Sequence, residues 1–272
     1  MLLTSADKRK DETVSQLVSL WQTVFGDSED YIRLFEPYLD SFDCYVIKEE
    51  GRIVSAFYLL PTEIRTEKRI YKGSYLYAAA TYKENRCNGY MSSLISEAIS
   101  DKENESDFIS LVPADDGLYN YYGRFGFEPI MFNYRTKLIC EGVGKPEGNR
   151  ISDAESINLL RKNKFDNVHI YADNSMNYAL SCYSHFGSYF TAVNDSAVMY
   201  DEDEKTIYEG IFSENEKVWF IDYLKKNCSG EIFVVTPYRI DDTTEKIRCG
   251  MVLDFSGELN KQKEIYMNHT LI

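Results

Sequence analysis

The chain has 272 residues, 44% of them hydrophobic and 27% charged, with a formal net charge of −14. That balance belongs to a folded globular protein and excludes a disordered one, and the length is ample for two modest domains. So negative a chain repels phosphate backbones and anionic lipid and attracts amines, although acidity is also an ordinary route to solubility. Neither nucleic acid nor membrane is therefore expected as a partner. Met1 to Asp11 lack the apolar run of a signal peptide and no stretch is long enough to span a bilayer, which makes a cytoplasmic location the expectation. The six cysteines (Cys44, Cys87, Cys140, Cys182, Cys228, Cys249) form no C-x-x-C and have no histidine at ligand spacing. They read as reduced, mostly buried thiols, with no metal site or disulfide framework.

In chain order, Glu12 to Phe25 places Val14, Leu17, Val18, Trp21 and Phe25 on one helical face, and Gly26 stops it. Asp27-Ser28-Glu29 caps a second helix to about Leu39, with Tyr31, Leu34, Phe35 and Tyr38 inward. Asp43 to Lys48, a turn at Glu49-Glu50-Gly51-Arg52, and Ile53 to Leu60 form a hairpin that Pro61 ends. Thr62 to Tyr71 is a further edge strand and Gly73 to Tyr82 the next strand. A charged loop leads to a helix over Gly89 to Asp101, with Met91, Leu94, Ile95 and Ala98 inward. Phe108 to Val112 is a short buried strand, Asp115 to Tyr122 a short helix, and Phe125 to Ile139 one or two strands. The expected fold class is α/β (α+β): a mixed sheet flanked by helices, then a second, smaller α/β domain. The Gly-, Pro- and charge-rich run 141–150 is the expected linker between domains 1–140 and 151–272. Beyond it, Ser152 caps a helix to about Asn163, and Asn174 to Phe186 and Glu214 to Lys226 are helices, with Trp219 and Phe220 in the core. Ser196 to Tyr200, Thr206 to Phe212, Glu231 to Thr236, Met251 to Phe255 and Glu264 to Leu271 are strands. Asp201-Glu202-Asp203-Glu204 is an acidic turn without the spacing of a calcium loop. His169, His185 and His269 read as ordinary packed or surface histidines.

The most informative segment is Ala78 to Leu94, AAATYKENRCNGYMSSL, in which a strand ends, a loop carries Arg86-Cys87-Asn88-Gly89 and a helix begins. Such a turn aims several unpaired backbone N–H groups and the positive end of a helix dipole at one spot, as a pyrophosphate requires. Gly89 permits close approach, and Arg86 either pairs with phosphate or orders the loop. The turn is neither a Walker loop nor a dinucleotide fingerprint, since a single glycine stands there. Taken alone it is equally well an ordinary β–α connection. The second segment is LYNYYGRFGF, Leu118 to Phe127. Most of its rings read as core, but Tyr122 ends a short helix where its hydroxyl can face a cleft.

The stretch Arg86 to Met91, R-x-x-G-x-M, resembles the R/Q-x-x-G-x-G/A motif of the GNAT acetyltransferase superfamily. Tyr121 to Phe127, YYGRFGF, resembles that superfamily's Y-x-x-x-G-F signature, in the form found in the group named for enhanced intracellular survival, Eis. The resemblance covers about residues 1–140. It implies an acetyl-CoA-dependent N-acetyltransferase that passes an acetyl group to a primary amine by direct attack. The backbone of Arg86, Cys87, Asn88, Gly89, Tyr90 and Met91 would hold the pyrophosphate, the splayed strand at Ala80 and Thr81 the pantetheine arm, and Tyr122 would protonate the departing thiolate. Three positions depart from the pattern: Met91 replaces Gly or Ala, Lys83 replaces Pro, and Asp115 stands near a CoA-contacting Asn. Tyr119 and Tyr121 are the lesser candidates for the acid. The base is open among Glu63, Asp115, Asp116 and His185. In the Eis group the C-terminal carboxylate reaches the site, which would be that of Ile272 here, and a third domain follows for which this chain is too short. Residues 150–272 lack the motif, and their β-β-α-β order resembles a degenerate GNAT core that walls the cleft or forms a dimer contact. The alternatives are a catalytically idle CoA-binding sensor or interaction protein and a transferase for a bulkier acyl donor. The partner is a small-molecule or protein amine; a homo-oligomer is left open.

Overall fold

The computed structural model describes residues 1–201, 203–262 and 264–267. Its contacts divide the chain into two units. The first comprises residues 1–63, 71–128 and 251–261, and the second 64–70, 129–250 and 262 onward. The expected linker 141–150 lies inside the second unit.

The first unit opens with α1 (Ser5–Lys8) and α2 (Asp11–Phe25). The latter buries Leu17, Val18, Leu20 and Trp21; Phe25, expected on the same face, is exposed. Gly26 closes α2 at φ +82, its N–H donating to Gln22 O at 2.9 Å, the left-handed stop that glycine adopts at no steric cost. Ser28 caps α3 (Glu29–Ile32), its Oγ accepting from Tyr31 N–H. The expected longer helix instead tightens to a 3₁₀ helix over Arg33–Ser41 that contains Pro37. Proline offers no N–H to an α-helical bond, so the inward set keeps Tyr31 and Phe35 as expected and takes Ile32 and Leu39 in place of Leu34 and Tyr38.

β1 (Asp43–Glu49) and β2 (Arg52–Arg65) form the expected hairpin, turned by Glu50 and Gly51 at positive φ. Contrary to expectation β2 runs through Pro61. The β1 pairing ends at Asp43 and Leu59, so a proline beyond it removes no bond from that ladder. β3 (Ile70–Thr81), α4 (Tyr90–Lys102), β4 (Phe108–Leu111) and α5 (Asp116–Gly123) follow. The unit's strand order is β12-β4-β3-β2-β1, in which β12 (Glu245–Asp254) contributes Met251–Asp254 antiparallel to Leu111–Phe108. The core gathers Tyr45, Phe57, Leu94, Ile95, Ala98, Ile109, Leu111 and Tyr122, and each fully buried aliphatic side chain there is worth about 1.5–3 kcal/mol.

The second unit takes up β5 (Glu128–Glu141), β6 (Asn149–Ile151), α6 (Ala154–Lys164), β7 (Val168–Tyr171), α7 (Asp173–His185), β8 (Tyr189–Val193), β9 (Ser196–Asp201), β10 (Thr206–Ile211), α8 (Lys217–Asn227), β11 (Ser229–Thr236) and β13 (Ile265–Met267). Their order is β7-β13-β5-β11-β10-β9-β8-β6, with parallel neighbours at β7–β13, β13–β5 and β11–β10. Asp153, one residue after the expected Ser152, caps α6 by accepting from Ser156 N–H at 2.7 Å. Phe220 is buried, but Trp219, expected beside it in the core, is 42% exposed and stacks on Tyr223. Arg161 and Glu209 form an ion pair with both side chains fully buried, at 2.6 and 2.9 Å. His169 is buried and His185 exposed, while His269 lies outside the described residues. Among those residues no helix is long and apolar enough to cross a membrane.

Candidate active site

The site is built on the crossover from β3 to α4. β3 pairs parallel with β4 only from Gly73 to Tyr75, against Phe108 to Ser110. Gly73 permits this approach, since a Cβ there would stand 2.4 Å from Phe108 O. Further along, Ala78 takes φ +50, a left-handed residue inside a strand, which kinks the strand where it leaves its neighbour. Ser55 Oγ donates to Ala80 O at 3.3 Å and shares a hydrogen bond with Thr81 Oγ1 at 2.8 Å, holding the end of β3 to β2. Tyr82 N–H donates to Val54 O at 3.1 Å.

Next comes the turn. Arg86 is exposed, and its Nε donates to Thr81 O at 3.2 Å, so of its two expected roles the structure displays the ordering of the loop. Cys87 is exposed at φ +66 and Asn88 is exposed beside it. Gly89 is the N-cap of α4 at φ +79, with nothing within 4 Å of where a Cβ would stand. Ser93 is the first residue to close the helix, donating to Gly89 O at 2.9 Å; the amides of Gly89, Tyr90, Met91 and Ser92 have no hydrogen-bond partner among the described residues. The first turn of α4 carries no acidic residue. Four free donors at the positive end of a thirteen-residue helix make an arrangement that can accept an anion. Met91 is half-buried against the core.

A residue that reads in the sequence only as part of a hairpin turn braces this loop. Glu49, at the end of β1, accepts from Asn85 Nδ2 at 2.8 Å and from the Tyr90 hydroxyl, one partner on each side of the turn. Burial and this carboxylate raise the Tyr90 phenol above its usual value, the bond to Glu49 contributing most. Glu49, Arg52, Val54, Glu84 and Asn85 line an open pocket of about 690 Å³ next to the turn. Arg52 lies over the Tyr82 ring at 4.1 Å. Such pairings are between residues far apart in sequence and leave no local signal.

Tyr122 lies in α5, 7% exposed, its ring edge-on to Tyr121 at 5.2 Å and Phe127 at 5.9 Å. Burial, with a smaller contribution from Tyr121, pushes its phenol up to about 12. Its hydroxyl has no hydrogen-bond partner among the described residues. Tyr121 differs, because its hydroxyl is bonded to Ser92 Oγ at 3.1 Å, tying α5 to the first turn of α4. Asp115 caps α5, accepting from Leu118 N–H at 2.9 Å, and Asp116 is exposed in that helix's first turn. Glu63 is half-buried near the end of β2 and His185 is exposed at the end of α7. Ile272 lies outside the described residues. Among those residues no group of three or more His, Cys, Asp or Glu is arranged to hold a metal ion. The six cysteines are free, with Cys87 exposed.

Residues 5–130 match the acetyltransferase (GNAT) domain family. A conserved protein of unknown function from Enterococcus faecalis V583 superposes with a TM-score of 0.71 over 97% of this chain and 74% of its own, at 14% identity. The fold is of the GNAT type. Eis1 from Mycobacterium abscessus superposes with a TM-score of 0.66 at 12% identity, over 94% of this chain and 74% of its own. A tandem GNAT protein from the clavulanic acid biosynthesis pathway does so with a TM-score of 0.50 at 12% identity, over 91% and 96% of the two chains. Such identities fix the fold and leave the chemistry to the residues. No curated protein matches the sequence at a significant level.

Proposed function

We propose that the first unit is an acetyl-CoA-dependent N-acetyltransferase acting on a primary amine. The observation that carries the reading is the turn at Gly89: four unpartnered amides, a glycine with open space above it, and no carboxylate in the helix's first turn. These features fit a diphosphate. The match of residues 5–130 to the GNAT domain supports the same assignment.

The residues divide the work as follows. Arg86, Cys87, Asn88, Gly89, Tyr90 and Met91 provide the diphosphate turn, which Arg86 orders through Thr81 O and Glu49 braces. Ala80 and Thr81 close β3 past the point where its pairing with β4 stops. Backbone groups alternate along a strand, and Ala80 O is engaged by Ser55, so Ala79 and Thr81 offer their N–H groups to the unpaired edge. That edge suits an extended pantetheine arm, taken up as an added strand. Acetyl-CoA supplies the activated acyl thioester. Tyr122 holds a proton on its hydroxyl throughout the neutral range, having a pKa of about 12, and delivers it to the sulfur as the C–S bond breaks. Its lack of any other partner leaves the hydroxyl available, whereas Tyr121 is committed to Ser92.

The test is to titrate acetyl-CoA by calorimetry and follow thiol release with a panel of primary amines. Saturable binding with thiol release is expected. No binding of acetyl-CoA or CoA sinks the proposal, and binding without turnover across the panel reassigns the chain as a CoA sensor.

A further inference from the structure

The second unit repeats the strand–turn–helix–strand order that builds the turn at Gly89, using β10, residues 212–216, α8 and β11. Its two parallel strands are also paired over a short stretch, Thr206 and Ile207 with Phe233 and Val234, and β10 is irregular between Ile207 and Glu209. A cavity of about 500 Å³ opens beside this turn, a size that takes a small organic molecule.

Its chemistry is inverted. The turn carries Glu214 and Glu216, and the Glu216 carboxylate accepts from Ser213 N–H at 2.7 Å, Ser213 Oγ at 2.8 Å and Lys164 Nζ at 2.6 Å. Where α4 presents free donors and no acid, this helix opens on two carboxylates with its capping serine already satisfied. A diphosphate is repelled from it.

The walls suit the opposite charge. Phe132, Phe165, Tyr238 and Tyr266 line the cavity together with Asp166 and Glu214. Both acids are exposed and neither has an ion-pair partner among the described residues, while the lining Lys164 is held by Glu216 and by Asp195 at 3.2 Å. The protein's own Lys246 displays the recognition. Its ammonium lies 3.9 Å from the Phe132 ring centroid and 2.5 Å from Oε1 of Glu264, which lines the same cavity. Tyr266 is 3% exposed, and its hydroxyl has no hydrogen-bond partner among the described residues. That hydroxyl is shut off from the cavity, with Glu209 and Arg161 as its charged neighbours, so Tyr266 offers a ligand its ring.

We propose that this cleft of the second unit binds a small organic cation, an ammonium group on an apolar or aromatic body, and does not bind CoA. The ammonium is held by Asp166 and Glu214 at the aromatic faces, with the body between the rings. The site lies wholly within the second unit and is independent of acyl transfer in the first.

The full chain is titrated by calorimetry with phenethylammonium chloride, tetramethylammonium chloride and acetyl-CoA, as wild type, as the double variant Asp166→Asn/Glu214→Gln, and as Gly89→Glu. Cation binding at one site is expected, weakened at least threefold by the double substitution and by added salt, and unchanged in Gly89→Glu. Both replaced side chains are exposed, and a thermal melt checks that the variant is folded. No binding of either cation, or an affinity in the double variant within threefold of wild type, overturns the proposal. So does acetyl-CoA that displaces the bound cation. If the cations bind as expected and acetyl-CoA does not bind the wild type, the acyl-transfer reading fails and this one stands.

Discussion

Replacing Gly89 separates backbone strain from charge at the turn. Its φ of +79 disfavours any side chain, but the space above it is open, so alanine meets no clash. Alanine therefore costs about 1–2 kcal/mol of left-handed strain, equally with and without ligand. Thermal stability falls by ~2–4 °C per kcal/mol, and CoA affinity stays within threefold of wild type. Glutamate adds the same strain and brings a carboxylate to the four free amides. At ~5 Å from a diphosphate of two charges, with a water-like dielectric of ~80, the repulsion is about 1.7 kcal/mol. That is about a 20-fold loss of affinity, and a lower local dielectric makes it larger. Lysine carries comparable bulk with the opposite sign, so Gly89→Lys binds no more weakly than Gly89→Ala. Calorimetry with CoA, whose phosphates are present without a reactive thioester, reads all three. If Gly89→Glu and Gly89→Ala bind CoA within threefold of each other, the phosphates are not at this turn and the reasoning fails.

Tyr122→Phe lowers turnover by at least ~100-fold with CoA affinity retained, whereas Tyr121→Phe keeps most of the turnover and loses about 1 kcal/mol of stability with the Ser92 bond; steady-state kinetics and melts distinguish them. Because the folded pKa of Tyr122 is raised to about 12 from the usual tyrosine value near ~10, its contribution to stability is complete below about pH 10 and is lost as pH rises towards 12, which melts of wild type and Tyr122→Phe across that window measure. Glu49→Ala releases Asn85 and Tyr90 and raises the KM for acetyl-CoA severalfold, while Glu49→Gln, which can still accept, restores most of it; equal KM values for the two would remove Glu49 as a brace. In the second unit Arg161→Met strands the Glu209 carboxylate in the core and costs about 3–5 kcal/mol, much of which returns in Arg161→Met/Glu209→Leu, as read by urea unfolding.

Local rules carried much of the fold. The glycine stop at Gly26, the cap at Ser28 and the short strand before Leu111 are each fixed by neighbours in sequence, and each was legible. The misplaced features answer to partners elsewhere. Pro61 reads as a breaker, yet it lies beyond the stretch where β1 pairs with β2. Trp219 and Phe220 are equally apolar, but one helix face packs and the other meets solvent. Val168–Tyr171 is a four-residue strand whose buried pattern has no alternation to announce it. In the candidate site, the free amides at Gly89 follow from a strand–loop–helix pattern that the sequence carries plainly. The Glu49 brace and the Ser92–Tyr121 tie join residues 41 and 29 positions apart, and such pairs require the fold.

The strand Met251–Asp254 closes the edge of the first unit's sheet against β4, and Phe255 N–H and Ser256 N–H both donate to Asp107 O, at 2.9 and 3.2 Å. The first unit is thus finished by a stretch that follows most of the second unit in sequence. A chain halted anywhere before Met251 would leave Phe108 to Leu111, an entirely apolar stretch apart from Ser110, with a bare rim open to pairing with any extended peptide. The first unit's sheet therefore gains its edge strand only after most of the second unit has been synthesised, and a product truncated before Met251 carries a sticky margin.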